Sequence, residues 1–269
     1  KRLAGGELMT TFGNIGAIVR KEWRHYFGSP IAYAALFTWN VLFSVFFQFA
    51  LTYFLQVSMN PEGGMGGPPK PNINEWIFRP TLMNMAVVAL FVAPMLTMRL
   101  FAEEQRQGTW ELLATSAITD WQIVLGKFFG ALSVYALMIA TSLLNFAIVF
   151  AYADPRPEWK PVLTGALALL LMGACFIALG GFLSTLTRNQ IVAGILSFCL
   201  FLAIWTLSWL DSPMASGPTK ALAYLGVTGH MEDMVKGVID SKDVIFYLSF
   251  IGFGLFLTQQ SIESRRWRE

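Results

Sequence analysis

Apolar residues gather along the chain into six long runs, at roughly 31–55, 77–98, 121–150, 161–186, 189–210 and 243–260. Each approaches or exceeds the ~20 residues that an α-helix needs to cross a ~30 Å hydrocarbon layer. Inside such a layer the backbone must satisfy its own polar groups, so runs of this length read as helices. The pattern predicts an all-α membrane protein with about six transmembrane helices. The third run is long, and at ~1.5 Å per residue it extends past the bilayer on one side.

Between the runs the pattern changes kind. Ahead of the first span, Phe12, Ile15, Val19, Trp23, Tyr26 and Phe27 recur at helical spacing, with Arg20, Lys21 and Arg24 among them. This predicts an N-terminal amphipathic helix lying in the membrane interface, its cations toward anionic headgroups. Gly28-Ser29-Pro30 then turns the chain into the bilayer. The first outer loop, "NPEGGMGGPPKP", is turn chemistry throughout and reads as flexible. Residues 211–242, between the fifth and sixth spans, carry two short helical patterns, after Pro218 and after His230. There Met231, Met234, Val235 and Val238 are expected to share an apolar face, while His230, Glu232, Asp233, Lys236 and Asp240 meet water or a partner. The domain reading is a tail and interfacial helix over 1–30, a six-span domain over 31–260 and a C-terminal tail over 261–269. Met9 is a candidate start, with the eight residues ahead of it read as upstream sequence. The first apolar run is too long for a signal peptide, so none is expected.

Composition sharpens the class. The chain is 55% hydrophobic and 13% charged, with a mean hydropathy of +0.54, where soluble domains carry about 25% charged residues. A net charge of +2 provides no basic field for nucleic acid. With both termini inside, 12 of the 19 Lys and Arg residues fall on the inner side, so the termini and the 103–117 loop are expected in the cytoplasm. Cys175 and Cys199 lie in apolar runs and are expected as buried free thiols.

The chemistry is defined first by what the sequence lacks. It has no G-x-x-x-x-G-K-[ST] phosphate loop, since Gly126-Lys127 is followed by Phe128. His25 and His230 are the two histidines and fall on opposite sides of the membrane, which leaves little for a metal site or a catalytic triad. All 17 acids lie outside the span interiors, with Asp120 and Asp243 nearest, at span ends. Ion-driven transporters place carboxylates at depth, so transport energy would have to come from another chain. The neutral polar residues at depth, among them Asn40, Thr141 and Asn145, are expected to bond between helices.

Polar chemistry concentrates between spans two and three, in "FAEEQRQGTWELLATSAITDWQ". Glu103 and Arg106 are spaced to pair on a helix. Gly108 is a candidate helix end and Thr109 a candidate cap for a second short helix, with Glu111 in its first turn. Trp110, Leu113, Ala114 and Ala117 form that helix's apolar stripe, and Thr119 to Gln122 offers a capping box for the third span. Two readings stand: a surface helix with a solvated charged face, or a docking element presenting tryptophan, leucine and carboxylates to a cytoplasmic partner.

The segment "EEQRQGTWELLATSAITDWQIVLGK" resembles the pattern E-E-x-R-x-x-G-T-x-E-x-L-L-x-T-S-P…G-K of membrane subunits of type-2 ABC transporters. Glu103, Glu104, Arg106, Gly108, Thr109, Glu111, Leu112, Leu113, Thr115, Ser116, Gly126 and Lys127 match it, and Ala117 stands where the family usually has proline. A second segment, residues 229–250, resembles the gliding-motility-type branch, with permeases of multicopper-enzyme maturation as relatives. His230, Lys236, Gly237, Val238, Ile239, Asp240 and Asp243 carry that likeness, with Met231 and Met234 in place of phenylalanines.

The resemblance implies a permease in the bacterial cytoplasmic membrane that forms a homodimer. A separate cytoplasmic ATPase would bind ATP and Mg, this chain holding no cofactor. Glu103, Glu104, Arg106, Gly108, Thr109, Trp110, Glu111, Leu112 and Leu113 would form a coupling helix seated on that ATPase. His230, Lys236, Gly237 and Asp240 would act as an outer gate or partner site. An auxiliary membrane protein with a large extracytoplasmic domain is a further implied partner. The complex would export a substrate or do mechanical work on the envelope. A non-transporting scaffold is the rival reading, and a membrane-embedded enzyme ranks last.

Overall fold

The computed structural model describes residues 2–59, 72–109, 118–154, 156–210 and 217–266. Six helical stretches are long and apolar enough to cross a membrane: Ala32–Met59, Asn74–Gln107, Asp120–Tyr152, Lys160–Thr185, Gln190–Leu210 and Ser241–Ser264. They match the six apolar runs, and there is no strand among the described residues.

In chain order the elements are α1 (Arg2–Phe27), α2 (Pro30–Met59), a π-helical turn (Asn74–Phe78) running into α3 (Arg79–Thr97), α4 (Ala102–Gln107), α5 (Asp120–Ser142), α6 (Leu144–Tyr152), α7 (Lys160–Thr185) and α8 (Gln190–Leu207). A 3-10 turn (Ser208–Leu210), α9 (Gly217–Tyr224), α10 (Met231–Val235) and α11 (Ser241–Arg266) complete the chain. The π-turn precedes Arg79-Pro80, where proline has no N–H for a regular α-turn.

The core sits on α3 and α7, which are mostly buried, whereas α2 and α8 turn most of their surface outward. α7 can be central because it is built from small residues. Gly173 lies against the ring of Tyr135, and Gly180 against Thr97, with no room for a Cβ at either. In hydrocarbon, where apolar transfer gives no driving force between helices, such close approach is a main source of association. Tyr135 also meets Trp39 of α2 edge-on, with ring centroids 5.4 Å apart.

The third span is not one helix. It breaks at Leu143 between α5 and α6, where the Thr141 and Ser142 hydroxyls turn back onto the carbonyls of Leu137, Met138 and Ile139. Such back-bonding competes with the helical ladder. The same break sets up cross-helix bonds to α2, from Asn40 to Thr141 at 3.1 Å and from Ser44 to Asn145 at 3.3 Å. Both cysteines are free, but only Cys175 is buried. Cys199 lies on the exposed side of α8, contrary to the expectation of two buried thiols.

α1 is a helix, as its periodicity predicts, but its buried face is shifted. Ile18, Glu22 and Tyr26 point inward, and Phe12 and Trp23 point out. It does not lie by itself in the interface. It runs parallel to the first half of α5: Asn14 meets Gln122, Ile18 meets Gly126, Glu22 meets Gly130 and Trp23 meets Ser133.

Candidate functional site

The site begins with a flaw in the second span. α3 ends at Thr97 and α4 starts at Ala102, so the backbone between them leaves helical donors and acceptors without ladder partners. Side chains from three other helices take them up. Tyr26 of α1 donates to the Leu96 carbonyl at 2.7 Å. Lys127 of α5 donates to the Leu100 carbonyl at 2.6 Å. Ser184 of α7 accepts from the N–H groups of Phe101 and Ala102 at 3.1 and 3.0 Å. The junction from span to α4 is thus held from several sides. Burial, with the Glu22 carboxylate nearby, holds the Tyr26 phenol well above its ordinary range, so it stays a donor.

Four charges close around this junction. Lys127 Nζ lies 2.9 Å from Glu22 Oε1 and 3.0 Å from Glu104 Oε2. The other oxygen of Glu104 lies 2.8 Å from Lys21 Nζ. Lys21 and Glu22 are neighbours on α1, so the three ion pairs close through the α1 backbone into a ring of alternating sign joining α1, α4 and α5. Lys127 is 2% exposed and Glu22 5%, so the inner pair is withdrawn from water. Lys127 also sits 5.2 Å from the ring centroid of Phe101. A single ammonium with two carboxylates, a carbonyl and an aromatic face is the form in which a charge survives burial.

A second layer lies toward the surface. Glu103 Oε2 is 3.1 Å from His25 Nε2 and 4.0 Å from Arg99 Nε. Arg99 reaches Ser29 Oγ at 3.1 Å, at the turn into the first span.

Two glycines make the ring geometrically available. A Cβ at Gly126 would stand 2.7 Å from Ile18 Cβ, and one at Gly130 2.7 Å from Glu22 Cβ. Gly126 and Gly130 are four apart on one face of α5, a small-xxx-small groove into which α1 settles.

The predicted site residues divide accordingly. Glu103 and Glu104 turn toward α1 and α5, where Glu103 meets His25 and Glu104 meets Lys21 and Lys127, so their carboxylates are not a solvated edge. Glu103 pairs with His25, and the expected Glu103–Arg106 pair is absent among the described residues. Arg106 is exposed. Gly108 does end α4, at φ +70°, the left-handed conformation that glycine adopts freely. The Thr109 N–H donates to the Glu104 carbonyl at 3.1 Å, closing that end. Trp110, Glu111, Leu112 and Leu113 lie outside the described residues. The capping box at Thr119 and Gln122 is present.

The outer loop forms a second cluster. His230 is buried, not water-facing as expected. Its Nδ1 is 2.7 Å from Asp243 Oδ1, its Nε2 is 2.9 Å from the Tyr224 carbonyl, and it stacks on Phe246. This seat ties α9, α10 and α11 together. Asp240 accepts from the Lys242 N–H at 3.1 Å. That bond, with the Lys242 ammonium beside it, holds the Asp240 carboxyl below its ordinary range. Gly237 turns the chain at φ +95°. Helix α10 therefore stops short, and Val238 is exposed rather than continuing the Met231, Met234, Val235 face. Lys236 stays at the surface, 3.4 Å from Asp233.

Glu22 and Gly130 were missed by sequence reasoning. The available signals were Gly126-xxx-Gly130 within an apolar helix, and Glu22 at helical spacing from Ile15, Ile18 and Tyr26.

This six-span bundle, with its polar junction after the second span, agrees with a family profile described as "ABC-2 family transporter protein", which matches residues 8–235. The chain belongs to the ABC-2 family of transporter proteins. The chain is also 29% identical over 213 residues to the "Probable multidrug ABC transporter permease YbhR" of Escherichia coli strain K12, with the same figures for its counterpart in Escherichia coli O157:H7. That match covers 71% of this chain and 55% of the relative, so the chain spans about half the length of the curated relatives it matches.

Proposed function

We propose that this chain is the membrane subunit of an ATP-driven transporter, and that the ring of Lys21, Glu104, Lys127 and Glu22 is its coupling device. The supporting observation is that one buried ammonium, Lys127, holds α1, α4 and the start of the third span at once. On this reading the termini are cytoplasmic and a separate ATPase carrying ATP and Mg seats on 103–117. When the ATPase closes, force enters through α4. The ring passes it to α1 and α5 together, because separating any one of them would strand a charge in a dry site. Two copies of the permease would act as a homodimer. The 229–250 segment supports placement near the gliding-motility-type branch, with an auxiliary extracytoplasmic partner. It also supports either export or mechanical work on envelope components.

Two measurements test this. Trp110→Ala with Glu111→Lys should abolish co-purification of the ATPase while membrane insertion is retained. Undiminished co-purification would remove the docking role and favour a scaffold. Spin labels at Ala17 and Gln107 report the second point. Their separation should hold between nucleotide-free and ATP-trapped complexes, and should spread into a broad distribution in Lys127→Met. A shift of several Å in the unmodified ring would mean that α1 and α4 move separately, contrary to the proposal.

A further inference from the structure

His230 sits at the head of α10 with both ring nitrogens facing oxygen atoms. Nδ1 is 2.7 Å from Asp243 Oδ1 of α11, and Nε2 is 2.9 Å from the carbonyl of Tyr224, the last residue of α9. The His230 side chain is 7% exposed and that of Asp243 1%. A carbonyl oxygen only accepts, and so does an ionised carboxylate, whereas a neutral imidazole carries a single N–H. A neutral ring satisfies one of these oxygens and turns a bare nitrogen toward the other. The seat as built therefore holds one proton more than a neutral ring beside a carboxylate. The count is the same whether that proton is assigned to Nδ1 or to Oδ1.

Burial makes the count matter. Asp243 Oδ2 is buried without a hydrogen-bond partner, so the carboxylate relies on His230 for its side-chain bond. The Tyr224 carbonyl lies at a helix end, past the reach of its own ladder, and the Nε2 proton takes it up. The charged groups of the neighbouring elements are paired elsewhere at the surface. Lys242 of α11 senses the Asp243 charge but lies 3.1 Å from Asp240. On α10, Lys236 lies 3.4 Å from Asp233 and 3.9 Å from Glu232. Arg79, ahead of α3, also reaches Glu232 at 3.9 Å, and Lys220 of α9 is exposed. Tyr247 of α11 gives its O–H to the Val227 carbonyl at 2.8 Å, and Cys175 of α7 gives its thiol to the Tyr247 carbonyl at 3.4 Å.

The element held by the seat is lightly rooted. α9 has 8 residues and buries none of them, and a helix that short does not persist by itself in water. Its end is docked through Tyr224, whose ring stands edge-on to His230 at 4.8 Å and to Phe246 at 5.7 Å.

We propose that this seat is a proton-operated latch. With the extra proton it clamps α9 onto α11. When that proton leaves to water, one of the two buried oxygens loses its donor and α9 lets go. The Tyr247 bond to Val227 needs no such proton, so the release hinges between Tyr224 and Val227. The closed seat holds one proton more than the open one, so clamping strengthens as pH falls and weakens as pH rises. Which compartment's pH the latch senses rests on the topology proposed above, which makes it the outer one. The latch itself stands on the geometry of the seat.

The test is hydrogen–deuterium exchange of the full chain in detergent, read on peptides covering 217–226 and corrected for the intrinsic pH dependence of exchange. The series runs from about pH 5 to about pH 8.5, which brackets the range where histidine ordinarily changes charge. Protection of 217–226 in the wild type should fall at least about tenfold toward alkaline pH, the scale of one hydrogen bond to a charged group. His230→Ala should lack that protection throughout. Asp243→Asn should keep it throughout, because its amide donates to Nδ1 of a neutral ring whose Nε2–H still serves the Tyr224 carbonyl. Constant protection in the wild type would overturn the latch. So would an Asp243→Asn chain that behaves like His230→Ala, since the carboxylate would then be a structural contact only. A fall shared equally by α7 would mean general loosening and would overturn it as well. Both faces of a detergent-solubilised chain meet the same pH, so the result does not depend on topology or on an ATPase.

Discussion

Lys127 concentrates more of the structure's electrostatic commitment than any other described residue. Its ammonium meets Glu22, Glu104 and the Leu100 carbonyl within 3.0 Å. Removing one member of a buried ion cluster costs about 3–5 kcal/mol, because the charges left behind stay desolvated. Lys127→Met should therefore lower the midpoint of thermal unfolding in detergent markedly. Adding Glu22→Gln and Glu104→Gln should restore much of the loss, as neutral groups need no counter-charge. If the single variant unfolds like wild type, the ring bears no structural load. In the sequence, Lys127 appeared as half of a Gly-Lys motif and as one more inner-side cation. Its partners were not legible, since Glu22 lies 105 residues away and no local spacing links them.

Among the elements, the α1–α5 pair depends on backbone proximity. Gly130 faces Glu22 so closely that any side chain there must displace it. Gly130→Leu should lift α1 from its groove and carry Glu22 away from Lys127. Limited proteolysis should then cut within residues 11–27, a stretch expected to resist cleavage in the wild type because it is packed on α5. Equal resistance in both would show that α1 is held by something other than the groove. The periodicity of α1 was legible, but its angular setting was not. Phe12, Ile15, Val19 and Trp23 suggest one apolar stripe, and hydropathy does not distinguish a face for lipid from a face for a glycine groove. Likewise, the helical pattern after His230 was visible, while the histidine's burial depended on Asp243 and Tyr224 meeting it from two other helices.

At the scale of the whole molecule, topology decides which compartment drives it. A cysteine at Gln107, exposed at the end of α4, should react with impermeant maleimide only from the cytoplasmic side of oriented vesicles. Reaction from the outer side would invert the bundle and remove any route to a cytoplasmic ATPase. The described ends of the bundle have different characters. At the end holding both termini, ions tie α1 to α4 and α5, and Gln105 reaches the Thr185 carbonyl at 3.1 Å while Thr185 meets Ser261 at 2.7 Å. At the other end, α9 and α10 close over α11 through a histidine seat.

The sequence by itself determined the six spans, because the length and hydrophobicity of a helix crossing hydrocarbon are local properties. It also determined the glycine end of α4 and the capping box of α5, which are bonds between residues a few positions apart. Tertiary structure alone decided that Glu103 and Glu104 turn inward, that Lys127 is shared by three elements and that His230 is buried. Those outcomes require charges and rings distant in sequence to meet where water is excluded. Only the packing of helices against small residues brings them there.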